Sequence, residues 1–353
     1  MKITKVLVLL ATISIHNSVV FAWQADSNGK SYDYFKQALA MWPSADLNND
    51  GELTWTEADQ VWESGASWQG VTYKATNTNI QYGESPQCQL DFYKAQSDKP
   101  TPVLVYIHGG GFRWGNRNEL SGDIVKRCLD NGVSVATIDY RTLRETSLQN
   151  IMRDGARAVQ YLRANAQTYN LDKSRFVACG TSAGAGISIW LAVHDNIADQ
   201  GNADPVLKES SRIAAAGAIA PQFSYDFLKW HDIIGENVWW NRDTERTALG
   251  MYRLPSPDAL HGEQGQTIRA DLDLVGLMDK NDAPIFLYCD RFNRPVNSYS
   301  DYVHQPKHSR ILKEQADKVG LRAEFFNAMQ PPVPKWLAHE KMLDFFFGVL
   351  GIK

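Results

Sequence analysis

The sequence has little that would indicate zinc, redox or nucleic-acid chemistry. It contains four cysteines in 353 residues, and their wide spacing includes no Cys-x-x-Cys pair, so neither a zinc site nor a redox motif is indicated. It also lacks a block of like charges, and its net charge is only −4, so nothing suggests a nucleic-acid partner. Cys179 and Cys289 lie in apolar runs and are predicted to be buried free thiols.

Long apolar runs are also missing after the first few residues. Lys2 and Lys5 precede an apolar run from Val6 to Ile15, and Val20-Phe21-Ala22 offers small residues for cleavage. Because this run is too short to span a bilayer, residues 1–22 are predicted to be a secretory signal peptide. We therefore expect a secreted or periplasmic protein without stable membrane insertion. The sequence does not indicate an oligomeric state.

Two unequal parts are predicted after the signal peptide. Residues 27–67 are polar, rich in tryptophan and helical in pattern. Residues 71–353 alternate short apolar runs with helical stretches, which is typical of a parallel sheet covered by helices. The segment Gln89–Lys94 alternates apolar and polar residues and is predicted to be an antiparallel strand. The continuous apolar runs predict buried parallel strands. The predicted strands are Gln89–Lys94, Pro102–His108, Val133–Tyr140, Arg175–Cys179, Ala214–Pro221, Ile285–Cys289 and Arg322–Asn327, and the predicted helices are Ile151–Ala166, Ala185–His194 and Glu340–Gly351.

One stretch, residues 222–282, interrupts this alternation and contains no clear strand. It carries Trp230, Trp239 and Trp240, part of an unusually high total of eleven tryptophans. Open α/β sheets bind ligands at the carboxyl ends of their strands. We therefore predict a cap-like insertion over those ends, with the three tryptophans as substrate-binding residues.

A Gly-x-Ser-x-Gly motif, Gly180-Thr181-Ser182-Ala183-Gly184, lies directly between a predicted strand and a predicted helix. A turn tight enough to expose a serine there has strained backbone angles, and small flanking residues relieve the crowding. The helix N-terminus also directs free amides toward the site, which favours developing negative charge. Because motif and context agree, Ser182 is predicted to be a catalytic nucleophile.

Three glycines follow the end of an upstream strand, in the segment His108-Gly109-Gly110-Gly111. Glycines allow backbone amides to approach a substrate oxygen without obstruction by side chains. A tetrahedral intermediate requires such donors, each of which lowers the barrier by about 3 kcal/mol. The amides of Gly110, Gly111 and Ala183 are therefore the predicted oxyanion hole.

Together, HGGGF and the later GTSAG resemble the motifs of the α/β-hydrolase superfamily. Within it, the chain is similar to the hormone-sensitive-lipase-like and the acetyl- or feruloyl-esterase-like carboxylesterases, from about Val71 to the C-terminus. The resemblance implies a mostly parallel, eight-stranded sheet with helices on both faces. It also implies the chain order Ser…Asp…His and hydrolysis through an acyl-enzyme, with neither a catalytic metal nor an organic cofactor.

The resemblance further implies an acid after the strand Ile285–Cys289 and a histidine after the last strand. His339 is the histidine in that position, so it is the predicted general base, although Trp336-Leu337-Ala338-His339-Glu340 departs from the usual Gly-x-x-His-Gly. Asp301 is the favoured acid because its distance to the following helix matches the spacing of the family. Asp290, which directly follows the strand, remains the alternative.

A twelve-residue loop, Asp46 to Glu57, matches the EF-hand calcium loop at each diagnostic position. Gly51 provides the sharp turn at the sixth position. A single copy of the loop argues against a dockerin module, and the calcium is predicted to be structural. The predicted ligands are the side chains of Asp46, Asn48, Asp50 and Glu57, the backbone carbonyl of Glu52 and, through water, Thr54.

These features predict a secreted serine carboxylesterase that acts on a small ester, with acetylated or feruloylated carbohydrate as the suggested substrate class. Secretion and the tryptophan-rich insertion motivate the carbohydrate part of this prediction. Two alternatives remain open. One is a serine peptidase of the same fold, and the other is a non-catalytic binding protein that has retained the fold.

Overall fold

The computed structural model describes most of the chain, in four long stretches and several N-terminal positions. The chain divides into two compact units, residues 1–60 and 61–353. The predicted signal peptide, Trp239, Trp240 and Asp290 lie outside the described residues. The described residues are 73–234, 244–289, 298–327 and 335–352, together with Leu39, residues 46–52, Thr54 and Glu57.

The larger unit is built on one eight-stranded sheet in the part of the chain that the structure describes. Its strand order is β1-β2-β4-β3-β5-β6-β7-β8. The pairs β1–β2 and β2–β4 are antiparallel, and the remaining neighbours are parallel. The strands are β1 (Asn77–Gln81), β2 (Gln89–Tyr93), β3 (Thr101–Ile107), β4 (Ser134–Ile138), β5 (Leu171–Thr181), β6 (Ala215–Ile219), β7 (Ile285–Cys289) and β8 (Ala323–Asn327).

Seven of these strands are predicted by the sequence, and the antiparallel pairing of β2 is confirmed. Strand β1 is missed because its residues are mostly exposed and therefore lack an apolar pattern. Strand β3 illustrates the successful case, since every one of its seven residues is buried. Between β6 and β7, the described residues 222–234 and 244–282 contain helices and no strand, as predicted.

Helices follow most of the strands, as expected for parallel connections. The predicted helix Ile151–Ala166 begins three residues earlier, and the closing helix begins five residues earlier than predicted. The described helices are α1 (Gly122–Asp130), α2 (Leu148–Ala164), α3 (Ala166–Tyr169), α4 (Ala183–Val193), α5 (Trp230–Ile234), α6 (Thr244–Tyr252), α7 (Pro257–His261), α8 (Glu263–Asp271), α9 (Leu274–Leu277), α10 (Tyr299–Val303), α11 (Pro306–Val319) and α12 (Lys335–Leu350).

Two apolar clusters, one containing α2 and α4 and the other α1 and α12, cover the sheet. Alternate residues of β3 belong to different clusters, Val105 to the first and Leu104 to the second, so helices cover both faces as predicted. Helix α4 is buried along its whole length. All four cysteines are buried, which agrees with the prediction for Cys179 and Cys289. Among the described helices, none combines the length and apolar character needed to cross a bilayer.

Candidate active site

Ser182 occupies the sharp turn between β5 and α4. Its φ of 54° and ψ of −112° are unfavourable for any residue with a side chain, so the predicted strain is present. The turn is held by two backbone hydrogen bonds. The amide of Ser182 donates to the carbonyl of Ile219 at 2.8 Å, and its carbonyl accepts from the amide of Gly186 at 3.0 Å.

The two glycines of the motif allow this turn to press against the end of β3. A Cβ atom added at Gly180 or at Gly184 would clash with the carbonyl oxygen of Ile107. Neither glycine has a positive φ, so the requirement here is space rather than backbone conformation. The motif therefore brings Ser182 next to the loop that follows β3, which is the predicted oxyanion loop.

That loop turns through three successive residues with positive φ, namely Gly110 at 103°, Gly111 at 59° and Phe112 at 61°. Among the described contacts, the amides of Gly110 and Gly111 have no hydrogen-bond acceptor. The amide of Ala183 is at the first position of α4, where it has no intrahelical acceptor. Because all three residues line the cavity that contains Ser182, these amides can stabilise an oxyanion there.

His108 holds the base of the oxyanion loop. Its ring stacks on Tyr140 at a centroid distance of 4.3 Å, and its Nδ1 lies 2.7 Å from the carbonyl oxygen of Gly109. The hydroxyl of Tyr140 donates to the carbonyl of His108 at 2.9 Å. Burial lowers the pKa of His108, so its ring is neutral at pH 7 and supports the loop rather than exchanging protons.

The histidine that meets the nucleophile is His304, which directly follows α10. Its Nε2 lies 2.9 Å from the Oγ of Ser182. Its Nδ1 lies 3.0 Å from the carbonyl oxygen of Ser300, and a carbonyl can only accept a hydrogen bond. The neutral ring therefore carries its proton on Nδ1, and Nε2 is left to accept the hydroxyl proton of Ser182.

The prediction that His339 meets Ser182 is wrong in this geometry. His339 lies in the first turns of α12 and does not line the cavity that contains Ser182. The neighbouring Ala338 belongs to the apolar cluster that also contains Cys128 of α1. The sequence argument relied on the position of the histidine after the last strand, whereas His304 follows β7.

Asp301, the predicted acid, lies within α10, one turn before His304. Its amide donates to the hydroxyl of Ser298 at 3.0 Å, which makes Ser298 the N-cap of the helix. The described partner of His304 Nδ1 is a backbone carbonyl rather than the carboxylate of Asp301. The alternative acid, Asp290, lies outside the described residues, so the identity of the acid stays a prediction.

The last carbonyls of α10 are each tied to a neighbouring part of the fold. Buried Gln222, next to β6, donates from Nε2 to the carbonyl of Val303 at 2.8 Å. The Nε2 of His308 lies 3.0 Å from the carbonyl oxygen of Tyr302. The thiol of Cys289, at the end of β7, lies 3.8 Å from the carbonyl oxygen of His304. These contacts satisfy carbonyls that a helix end leaves open, and they fix the position of His304.

His308 is suited to this structural role. Complete burial lowers its pKa to about 3, so the ring is neutral at pH 7. Its Nδ1 accepts the amide hydrogen of Phe223 at 3.3 Å, which leaves Nε2 as the donor to Tyr302. His308 therefore joins α11, α10 and the segment after β6 without carrying a charge.

The cavity around Ser182 has a volume of about 540 Å³. Trp230 lines it, together with Tyr225, Phe227 and Met251. Trp230 is only 1% exposed and donates from its indole nitrogen to the carbonyl of Ser224 at 2.8 Å. Of the three predicted substrate-binding tryptophans, Trp230 therefore lies in the cavity wall. Because its side chain is almost entirely buried, it contributes mainly to packing. Trp239 and Trp240 lie outside the described residues.

The predicted calcium loop closes on itself in the N-terminal unit. The carboxylate of Asp46 accepts the amides of Asp50 at 3.1 Å and Gly51 at 2.8 Å. The carboxylate of Glu57 accepts the amide of Asn48 at 3.2 Å, nine residues back along the chain. Gly51 has a φ of 83°, as the sharp turn at the sixth position requires.

The described part of this loop offers the donor types that calcium prefers. Its side chains include the carboxylates of Asp46, Asp50 and Glu57 and the amide oxygen of Asn48, all of which are hard oxygen donors. Among the described residues, no three acidic, histidine or cysteine side chains form a metal cluster. The described carboxylates of Asp46 and Glu57 accept backbone amides, and further lone pairs of a carboxylate can still bind a cation.

Comparisons with known proteins agree with this architecture. A family model described as BD-FAE matches residues 90–261, which include the oxyanion loop and the turn at Ser182. A truncated carbohydrate esterase from gut microbiota superposes with a TM-score of 0.63 at 20% identity, over 79% of this chain and 98% of that one. Esterase B from Lactobacillus rhamnosis superposes with a TM-score of 0.56 at 17% identity, over 88% of this chain and 96% of that one. The chain has the α/β-hydrolase fold.

Curated relatives are also named as esterases. A probable isoprenylcysteine alpha-carbonyl methylesterase of Arabidopsis thaliana is 30% identical over 139 residues, which are 39% of this chain and 29% of the relative. Esterase LipC of Mycobacterium tuberculosis is 28% identical over 111 residues, which are 31% and 28% of the two chains. The chain thus spans less than a third of the length of each of these two relatives. The matches agree with the prediction of a carboxylic ester hydrolase.

Matched substitutions of His304 and His339 test which of the two histidines is the general base. We expect His304→Ala to lower kcat for a simple ester by about a thousandfold, because Ser182 loses the acceptor of its proton. His339→Ala should leave kcat within about threefold of the parent, because His339 does not line the cavity. The measurement is steady-state hydrolysis of para-nitrophenyl acetate, with thermal unfolding as the control for folding. A large loss in His339→Ala with little change in His304→Ala would contradict the assignment.

Proposed function

We propose that this chain is a serine carboxylesterase in which Ser182 is the nucleophile and His304 is the general base. The observation that carries the proposal is the 2.9 Å contact between Ser182 Oγ and His304 Nε2, next to the open amides of the oxyanion loop. The esterase names of the relatives support the same reaction class. A nucleophile, a base and amide donors on one cavity are what acyl transfer requires.

In the proposed reaction, the carbonyl carbon of the ester lies against Ser182 and its oxygen against the amides of Gly111 and Ala183. His304 removes the hydroxyl proton as Ser182 attacks, and the resulting oxyanion accepts hydrogen bonds from those amides and from Gly110. His304 then protonates the departing alcohol. Water, activated by the same histidine, attacks the acyl-enzyme and releases the carboxylic acid.

An acylated carbohydrate is the substrate class that we propose. The structural neighbours include proteins titled a carbohydrate esterase and an acetyl ester-xyloside bifunctional hydrolase from Caldicellulosiruptor lactoaceticus, the latter with a TM-score of 0.57 at 18% identity over 80% of this chain and 98% of that one. The cavity is open and partly aromatic, and Trp114 at its edge is 66% exposed. An exposed indole face offers a sugar ring a flat apolar surface.

An ester panel tests the reaction and the substrate class together. We expect hydrolysis of acetyl esters of para-nitrophenol and of acetylated xylose, with kcat/KM reduced about a thousandfold or more in Ser182→Ala. The feruloyl and butyryl esters in the same panel define the acyl preference, and para-nitroanilide peptides test the peptidase alternative.

Three outcomes would count against the proposal. Unchanged activity in Ser182→Ala would exclude the serine mechanism, and faster cleavage of the peptides would favour a peptidase. If the parent protein hydrolysed no ester and failed to react with a fluorophosphonate probe, the non-catalytic alternative would stand instead. Folding of Ser182→Ala is checked by thermal unfolding.

We also propose that the protein is exported and that the loop from Asp46 to Glu57 binds a structural calcium ion. The amino-terminal signal pattern supports the first part, and the oxygen donors and the turn at Gly51 support the second. Asp46, Asn48, Asp50 and Glu57 would hold the ion by their side chains and Glu52 by its carbonyl. Bound calcium would stabilise the small N-terminal unit and supply no chemistry at Ser182.

Calcium is expected to raise thermal stability without a direct effect on the rate. A free calcium concentration about a hundred times Kd would stabilise the bound form by about 2.7 kcal/mol. Thermal unfolding of the holoprotein and of the chelated protein measures this difference, which Glu57→Gln should reduce. Glu52→Gln is the matched control, because position 7 of the loop binds through its carbonyl. An identical unfolding curve with and without calcium in the parent protein would contradict the proposal.

A further inference from the structure

A second cavity adjoins the catalytic one on the side of the oxyanion loop. Its volume is about 380 Å³, and it shares Trp114 and Met251 with the cavity that contains Ser182. Three arginines line it, each from a different segment. Arg113 comes from the oxyanion loop, Arg144 from the loop between β4 and α2, and Arg246 from α6.

The positive charges of two of these arginines, Arg113 and Arg144, are not compensated by a carboxylate in the described part of the chain. The described lining of the cavity contains neither aspartate nor glutamate. Arg113 and Arg144 form no ion pair with a described carboxylate, although carboxylates pair with many arginines elsewhere in the fold. Those paired arginines are Arg117, Arg127, Arg141, Arg153, Arg157, Arg175, Arg212, Arg269 and Arg322.

The segment that carries Arg144 is held in place by a further arginine. Arg253 donates from one guanidinium nitrogen to the carbonyls of Leu143 at 3.3 Å and Arg144 at 3.0 Å. The backbone of Arg144 is therefore held in place, while its side chain is exposed and Arg144 lines the cavity. Guanidinium groups gathered on one cavity repel one another and recruit an anion, and their planar donors match the two oxygens of a carboxylate.

The position of the cavity connects this charge to the substrate. Arg113 lies two residues after Gly111, whose amide belongs to the proposed oxyanion hole. Trp114, between the two cavities, is 66% exposed. An ester bound at Ser182 can thus pass a ring across Trp114 and extend a charged group toward Arg113 and Arg144.

We infer that the second cavity binds a carboxylate carried by the substrate, so that the preferred ester is acidic. This inference rests on the proposed esterase function for its connection to Ser182. It gives that function a substrate class, namely esters whose alcohol or acyl part carries a carboxylate, such as an acylated sugar acid. Neutral esters then react through the catalytic cavity alone.

Two matched pairs of esters test the inference, one for each side of the ester bond. On the alcohol side, para-acetoxybenzoate is compared with its neutral methyl ester. On the acyl side, para-nitrophenyl hydrogen glutarate is compared with para-nitrophenyl valerate. We expect kcat/KM of the charged member to exceed that of the neutral member about tenfold in at least one pair, as charge-assisted hydrogen bonds imply.

Substitution of Arg144 shows whether the second cavity causes the preference. Arg144→Gln removes the charge of an exposed side chain and should abolish the preference while leaving the neutral esters unaffected. Arg310→Gln, an exposed arginine of α11 that lines neither cavity, is the control and should preserve the preference. Equal rates within both pairs, or a preference that survives Arg144→Gln, would overturn the inference.

Calorimetric binding separates this inference from the esterase proposal. The Ser182→Ala protein should bind para-acetoxybenzoate more tightly than its methyl ester, and the additional substitution Arg144→Gln should remove the difference. If the parent protein hydrolyses no ester, the esterase proposal fails, and this titration still decides whether the anion site exists. Equal affinity for the two compounds would refute the site even if ester hydrolysis were observed.

Discussion

The contact between Ser182 and His304 depends on a backbone conformation that the fold must impose. Ser182 has a φ of 54°, which is costly for a residue with a side chain, and it persists because the surrounding structure leaves no alternative. Gly180 and Gly184 allow the turn to pack against the carbonyl of Ile107 at the end of β3. The same close approach brings the oxyanion loop beside the nucleophile, so one packing constraint assembles two parts of the site.

His304, the other member of this contact, is positioned through the carbonyl groups at the end of α10. His304 follows a five-residue helix, too short to be stable by itself. Gln222, His308 and Cys289 anchor successive carbonyls at its end to the segment after β6, to α11 and to β7. Cys289 belongs to the sheet and His308 to a covering helix, while Gln222 lies in the segment after β6, so three separate parts of the larger unit position the imidazole. The base is thereby positioned by tertiary contacts rather than by the stability of its own short helix.

The sequence was sufficient to predict those parts of the fold that a local residue pattern specifies. Buried strands such as β3 and the turn at Ser182 follow from apolar runs and glycine spacing, whereas exposed β1 has no such pattern. The base was predicted incorrectly because His304 and His339 are both loop-proximal histidines, and only tertiary packing shows which one reaches Ser182. The cavity lined by Arg113 and Arg144 likewise has no signal in the sequence, because the two arginines lie in different loops that come together only in the folded chain.

The central claim is that Ser182 and His304 act together beside the oxyanion loop. A crystal structure of the covalent adduct formed with a small alkyl phosphonate tests it most directly. The account predicts phosphorus bonded to Ser182 Oγ, the phosphonyl oxygen within hydrogen-bond distance of the amides of Gly111 and Ala183, and His304 Nε2 as the imidazole nitrogen nearest the adduct. An adduct in which His339 occupies that place, or no adduct at Ser182 after prolonged exposure, would contradict it.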